Sequence, residues 1–444
     1  MSKFVNFINH DGFMRYFKNT SWMMLEQVVR LFSNFFVGIW LARYLGPDQF
    51  GVLSYALAFV ALFSGVAKLG LDSIVVREVI NDAGKSDIFV GTAFWLKVIG
   101  AIIALCLIAI AVQFTSNSSQ TNIFIFIIAI GMLFQSFEVA VFYYQAKVNA
   151  KVVSICKILQ LLISSFVKIY FIVIDADLVA FVLVSLFDQV ILSLFYIITY
   201  RINIKRYIHK RFDIVVAKRM LLDSWPLILS AIFVMLYARI DQIMIMEMLG
   251  EYEVGIYSVS VKITEAWLFF PIIVSSSLFP SILNAKNRSL VEFETRMKWL
   301  YSLVSVSGLV VAITVTIFSK FLIGLLFGNE YIDGSPVLAI RIWETVFAAI
   351  GIVSTKWIVA ENLQRITFVH MVIGSLMNIV LNFILIPSYG VRGAAIASII
   401  SIIVTVIILP LLNKQLRDNA EIRIKSLLLV FLVQKITRLN SRSI

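Results

Sequence analysis

The chain has 444 residues, of which 60% are apolar or aromatic and only 14% charged, with a mean hydropathy of +0.94. A soluble domain carries about 25% charged residues, so a length that would suit two or three soluble domains has room instead for about a dozen spans of roughly 20 residues. Seven prolines and 20 glycines exclude collagen-like and low-complexity chains. Cys106 and Cys156 lie in apolar runs, and His10, His209 and His370 are far apart, so neither a disulfide framework nor a metal centre is expected. Lys3, Arg15 and Lys18 precede no short apolar core with a cleavage site, so no cleaved signal peptide is expected.

In chain order, the apolar runs predict spans at about 21–44, 51–70, 89–112, 123–145, 152–174, 178–200, 224–248, 255–283, 299–318, 336–360, 366–386 and 393–412. The count is twelve, and the fold class is all-α integral membrane. A shorter apolar piece, Leu427–Val433, lies between Arg423, Lys425 and Lys435. It is too short to span and reads as an interfacial helix. The outer connection near 319–335 is short, although it contains the apolar run Phe321–Phe327.

Charge sets the orientation. The N-terminus, the even-numbered connections and the C-terminus hold 26 of the 38 Lys and Arg residues, whereas the odd-numbered connections hold Lys320 and Arg392. Basic residues mark the cytoplasmic side, so both termini are expected in the cytoplasm. The organisation is then a cytoplasmic segment 1–20, a lobe 21–200, a basic linker 201–223, a second lobe 224–412 and a basic tail 413–444. The same bias explains the net charge of +12. Nucleic acid is excluded as a partner, because no folded basic domain could present such a footprint. The seven basic residues of 201–223 are expected on anionic membrane lipids.

A short pattern recurs. Leu45-Gly46-Pro47-Asp48-Gln49-Phe50-Gly51-Val52-Leu53-Ser54 and Leu249-Gly250-Glu251-Tyr252-Glu253-Val254-Gly255-Ile256-Tyr257-Ser258 share Leu, Gly, Gly and Ser at an offset of 204. Each Gly suits a tight turn before the next helix. The two copies are six spans apart, an even number, so the halves enter the membrane in the same direction. A parallel repeat of two six-helix lobes implies rocking about a site near the midplane.

The segments Phe35–Ala56, Tyr237–Gly250 and Asn382–Ser398 resemble the polysaccharide transporters of the multidrug/oligosaccharidyl-lipid/polysaccharide exporter superfamily, with the O-antigen flippases as the nearest group. Val141–Ala150 resembles a further family segment, with Ala146 where Gly is usual. The resemblance covers about 15–412. It implies a two-lobe, MATE-like fold in the bacterial inner membrane. It also implies movement of undecaprenyl-pyrophosphate-linked repeat units of O-antigen or a related lipopolysaccharide or surface glycan to the periplasmic leaflet. A polysaccharide polymerase and a chain-length regulator are the partners such a role suggests.

Intramembrane charges are the candidate site residues, since each costs on the order of 2.5–3.5 kcal/mol at a span centre. Glu26, Arg30 and Asn34 recur every fourth residue on one face of the first span. Arg30 could meet a pyrophosphate, for which its planar fork is suited; alternatively, Glu26 and Arg30 form an internal pair. Arg239 and Asp241, two apart in the seventh span, point about 200° away from each other. Each therefore needs a partner elsewhere, in substrate contact or in locking the lobe. Arg341 and Glu344 can satisfy each other. Glu138, Asp188, Glu265 and Lys97 are buried by position, and each could bind a coupling proton or cation or serve a structural hydrogen bond. Arg43, Lys68, Lys168 and Lys356 lie near span ends and can snorkel. The substrate-binding candidates are Arg30, Asn34 and Arg239, and the ion-coupling candidates are Glu26, Asp241 and Glu138.

A flippase is the leading reading, driven by H⁺ or Na⁺ and without a bound cofactor. No Gly-x-x-x-x-Gly-Lys-[Ser/Thr] loop occurs, so ATP hydrolysis by this chain is not expected. A drug/cation antiporter on the same fold would want carboxylates to dominate its cavity. A membrane-embedded polymerase or ligase would want a large outer loop and a nucleophile–base set, and neither is legible.

Overall fold

The computed structural model describes residues 11–430 apart from 287. Among the described residues there are helices, turns and no strand, and eleven helices are long and apolar enough to cross a membrane. The first of these, Lys18–Leu62, contains the first predicted span and the larger part of the second, whose end breaks into the short helix Ser64–Lys68. The two spans meet at Gly46, whose φ of 70° and ψ of 171° break the helix just before Pro47. All twelve predicted runs are therefore mostly helical, and the protein is an all-α, multi-pass membrane protein.

Several helices outrun their apolar cores. The seventh and eighth spans lie in Ile214–Leu249 and Glu251–Lys286, and the ninth in Leu290–Phe327. A 36-residue helix is about 54 Å long, well beyond a hydrocarbon core of about 30 Å. Phe321–Phe327, expected in a connection, forms instead the last two turns of the ninth helix, and only Asn329–Gly334 separates it from the tenth span, Ser335–Ala360. The fourth span is broken by a 3₁₀ turn, Ser136–Glu138, between Ser119–Gln135 and Val139–Ala146.

Most of the basic stretch 201–223 is helical too. The sixth span, Leu178–Ile204, and the seventh leave only 205–213 between them. That strand of chain is pinned to the third span, Ser86–Ala111. Gly91 lets the Arg211 carbonyl approach so closely that a methyl group there would overlap it. Trp95 Nε1 donates to His209 O at 3.1 Å, and the Asp213 amide donates to Thr92 Oγ1 at 3.1 Å. Asp213 Oδ1 then accepts from the amides of Val215 (2.8 Å) and Val216 (3.1 Å), capping the seventh helix. Nearby, Asp223 and then Glu78 hold the Arg77 guanidinium above its ordinary pKa by hydrogen bonding.

The chain divides into two compact units. Of the described residues, the first unit takes those up to Leu45 and Val52–Arg239, and the second takes Gly46–Gly51 and everything from Ile240. The core of the first unit joins Leu71, Val75, Phe89, Val90, Ala140 and Tyr200. That of the second gathers around Tyr301 with Phe293, Met297, Val304, Ile350 and Val353.

The repeated pattern is a structural pair inside the second unit. Gly46 and Gly250 are the turn residues, both with positive φ. Gly51 and Gly255 are not turns, contrary to the sequence expectation; they lie within helices and let two backbones meet. A methyl group on Gly51 would overlap the Glu251 carbonyl oxygen, and one on Gly255 would overlap the Pro47 carbonyl oxygen. Positions 47 and 251 are themselves separated by the repeat offset, so the two contacts are reciprocal.

After the twelfth span, a helix covers Arg417–Leu427 and packs against the ninth. The expected interfacial helix at 427–433 falls at the edge of the description, and residues 431–433 lie outside the described residues.

Candidate functional site

The second unit holds a buried polar network built from five helices. Its centre is Asp241, from the seventh span. Asp241 Oδ2 accepts from Tyr257 OH (2.5 Å) in the eighth span and from Ser398 Oγ (2.6 Å) in the twelfth. Asp241 Oδ1 accepts from Asn382 Nδ2 at 2.7 Å, and the same amide nitrogen donates to Asn378 Oδ1 at 3.1 Å, one turn earlier in the eleventh span, Gln364–Tyr389.

Arg341, from the tenth span, supplies the positive charge. Its Nη1 lies 3.4 Å from Asp241 Oδ2 and 3.3 Å from Ser398 Oγ, and also donates to Tyr257 OH. Its Nη2 is 3.4 Å from Glu344 Oε2. The guanidinium also stands over the Tyr257 ring, 4.7 Å from the centroid. Arg341 Nε and Asn382 Oδ1 are buried with no hydrogen-bond partner. The hydrogen-bonded network sets two carboxylates, Asp241 and Glu344, against one guanidinium, and Glu265 of the eighth span lies within electrostatic range of Arg341 and Glu344. Charges removed from water need local compensation, and here carboxylates outnumber the guanidinium, so a bound proton or monovalent cation would reduce the excess.

The sequence pointed to only part of this. Arg341 and Glu344 do pair, as their spacing suggests, but Arg341 is shared with Asp241, which is the distant partner that Asp241 required. Tyr257, Asn378, Asn382 and Ser398 were not singled out. A signal was present: two asparagines four apart in an apolar run, with Asn382 and Ser398 bounding one of the family-like segments. Arg239 is half-buried, lies outside this network and has a contact of its own.

Within the spans of the first unit, three ion pairs are formed. Glu26 is buried and bonds Arg30, whose side chain is 44% exposed. Asn34, on the same face, is exposed. Ser33 Oγ meets Ser165 Oγ of the fifth span, Ala150–Val173, at 2.5 Å. Lys97, which is fully buried, reaches Glu138 Oε2 at 3.5 Å and lies over the Phe142 ring at 5.1 Å. Glu138 sits on the 3₁₀ turn of the fourth span, which turns a carboxylate toward the third. Tyr196 is within electrostatic range of Glu138, Glu26 and Arg30, so these groups share one neighbourhood. Lys168 does not snorkel away: its Nζ is 3.2 Å from Asp188 Oδ2, while Gln160 Nε2 donates to Asp188 Oδ1 at 2.9 Å. Glu265 is exposed and engaged, and His370 is a packed residue.

Residues 16–286 match the family described as polysaccharide biosynthesis protein, and residues 226–384 match the MatE family. A capsular polysaccharide biosynthesis protein of Staphylococcus aureus, CapF, is 24% identical over 396 residues, 88% of this chain and 97% of CapF. A probable low-salt glycan biosynthesis flippase of Haloferax volcanii, Agl15, is 26% identical over 184 residues, 41% of this chain and 39% of Agl15. Among solved structures, an inward-facing MATE family multidrug transporter superposes with a TM-score of 0.68 at 16% identity, over 89% of this chain and 94% of the transporter. The lipid II flippase MurJ in an inward closed state gives a TM-score of 0.68 at 16% identity, over 95% and 93%. At that identity the likeness establishes the fold alone: the two-lobe, MATE-like arrangement expected from the sequence. The relatives named as flippases and transporters are not enzymes, in keeping with the reading of this chain as a non-enzyme. With a family match over residues 16–286, more than half of its length, the chain belongs to the polysaccharide biosynthesis protein family.

Proposed function

We propose that this protein flips lipid-linked oligosaccharides, undecaprenyl-pyrophosphate-linked units of O-antigen or a related surface glycan, from the cytoplasmic to the periplasmic leaflet of the bacterial inner membrane. Both termini are cytoplasmic in this reading, following the distribution of Lys and Arg. Lobes 21–200 and 224–412 rock about the linker, and the product passes to a periplasmic polymerase and its chain-length regulator.

The observation that carries the reading is the Asp241 network in a chain of this family. Five helices converge on two carboxylates and one guanidinium, so loading or unloading a single H⁺ or Na⁺ changes the stability of the whole helix set. A ligand drives a conformational change only through different affinities for the two states, and a buried charge imbalance gives the ion such a difference. One charge moved through 100 mV is worth about 2.3 kcal/mol. Arg30 is the headgroup contact in the first unit: Glu26 fixes it from one side, while its exposed fork remains open to a pyrophosphate. Arg239 and Asn34 are further substrate contacts, and Glu26 and Glu138 are secondary carboxylates for ion exchange.

The match of residues 226–384 to the MatE family supports a second reading, drug/cation antiport on the same scaffold. One experiment separates them. In cells lacking the gene, lipid-linked units are labelled from the periplasmic side, and drug sensitivity is measured in parallel. The flippase predicts unlabelled units that wild type restores to labelling, with unchanged drug sensitivity. Units labelled without the gene, with only the polymer missing, would overturn flipping in favour of polymerisation.

A further inference from the structure

We propose that the tail helix Arg417–Leu427 is a releasable latch on the twelfth span, docked through Arg423 and, when undocked, held by anionic phospholipid headgroups. The docked face is polar. Asn419, Ala420, Arg423 and Ser426 are all buried, Arg423 at 2% exposure. Among the described residues no carboxylate pairs with Arg423. Its Nε donates to Asn419 Oδ1 at 2.8 Å and its Nη1 to the Val406 carbonyl at 2.7 Å, both neutral acceptors. Asn419 Oδ1 also accepts from Tyr301 OH at 3.0 Å. Arg423 Nη2, Asn419 Nδ2 and Ser426 Oγ are buried without partners. A guanidinium buried with no counter-charge and an idle donor favours undocking, because water or a headgroup would serve it better.

The acceptor exists for a local reason. In an α-helix the Val406 carbonyl would receive the amide of residue 410, which is Pro410 and has none. The chain accommodates the proline with a π-helical turn over Val404–Ile408. Arg423 occupies the carbonyl that Pro410 leaves idle. Two turns earlier on the same helix, Ser398 donates to Asp241, so the latch grips the span that carries one wall of the buried network. Lys414, Arg417, Lys425 and Leu428 are exposed on the tail together with Asp418 and Glu421, the latter paired with Lys425, so undocking Arg423 adds to a modest basic excess that an anionic interface would attract.

The test uses the full-length protein with Cys106 and Cys156 replaced by serine and one new cysteine, Ala420→Cys, reconstituted without any sugar substrate. Labelling by a membrane-impermeant maleimide is compared with that of its exposed neighbour, Glu421→Cys. In phosphatidylcholine vesicles Ala420→Cys should react about tenfold more slowly, the factor that about 1.4 kcal/mol gives. Added phosphatidylglycerol should raise its rate about fivefold, the factor expected from about 1 kcal/mol for one arginine near an anionic surface. Arg423→Met, which keeps the packing and removes the charge, should stay protected and lose the lipid response. Ser426→Cys, a near-isosteric change, is read in parallel and decides the matter if Ala420→Cys itself disturbs docking. Equal protection in both lipids would make the helix a fixed part of the unit, and no protection in phosphatidylcholine would mean that it never docks. Either result overturns the proposal and leaves the flippase reading untouched, because no substrate is present.

Discussion

The two compact units handle intramembrane charge differently. In the first, three ion pairs form, each close in sequence or between neighbouring helices: Glu26 with Arg30, Lys97 with Glu138, Lys168 with Asp188. Every pair is neutral, and apart from Lys97 and Glu26 the members keep some exposure. In the second, the charges are pooled. Asp241 accepts hydrogen bonds from Tyr257, Asn382 and Ser398, Arg341 reaches both Asp241 and Glu344, and carboxylates outnumber the guanidinium. A neutral pair holds helices together and asks for nothing more. An unbalanced pool across five helices is what the proposed ion coupling would act on.

The contrast can be broken most forcefully at Arg341. Arg341→Ala leaves two buried carboxylates without a cation and should cost about 3–5 kcal/mol, as breaking buried pairs does. The amount of folded protein recovered from membranes would show it. Glu344→Gln should behave oppositely: it leaves a balanced Asp241–Arg341 pair, so the protein accumulates normally, yet transport no longer responds to the ion gradient. Gradient-driven labelling of lipid-linked units in inverted vesicles checks this, and an unchanged response would remove Glu344 from the coupling role.

Smaller effects sharpen the comparison. Gly51→Ala and Gly255→Ala each press a methyl group into a facing backbone carbonyl, so each should lose about 1–3 kcal/mol in thermal unfolding of the detergent-solubilised protein. Gly250→Ala meets nothing within 4 Å and should lose only about 1 kcal/mol, from its left-handed φ. In the first unit, Glu138→Gln should cost more than Glu26→Gln, because it strands the fully buried Lys97, whereas the Arg30 side chain is already 44% exposed. For the Glu26–Arg30 pair, the stability change should be below about 1 kcal/mol. Arg30→Ala should accordingly fold normally, and any loss in the flipping assay then reports substrate contact.

Elements along the chain were largely legible in advance. Apolar runs of spanning length must be helical, because lipid offers no partner for an unpaired peptide group. All twelve therefore appear close to where the hydropathy places them, with ends displaced where helical turns continue beyond the expected run, as at Phe321–Phe327 and Ile214–Asp223. The i, i+3 and i, i+4 pairs Arg341–Glu344 and Glu26–Arg30 were legible for the same reason: a single helix fixes their distance. The repeat offset was legible too, but its meaning was not, since Gly51 and Gly255 serve a contact between distant segments rather than a turn.

Composition, periodicity and local spacing determined by themselves that this is a many-span, all-helical membrane protein with a duplicated plan and a basic side. Only the tertiary structure decided which charges pool and which pair. Asp241 meets Arg341 across 100 residues and Ser398 across 157, and Arg423 finds the Val406 carbonyl from a different helix. Contacts of that kind depend on how helices pack and on where a proline or a 3₁₀ turn redirects a group. Helical periodicity gives the face on which a residue lies, and only packing gives the residue that faces it.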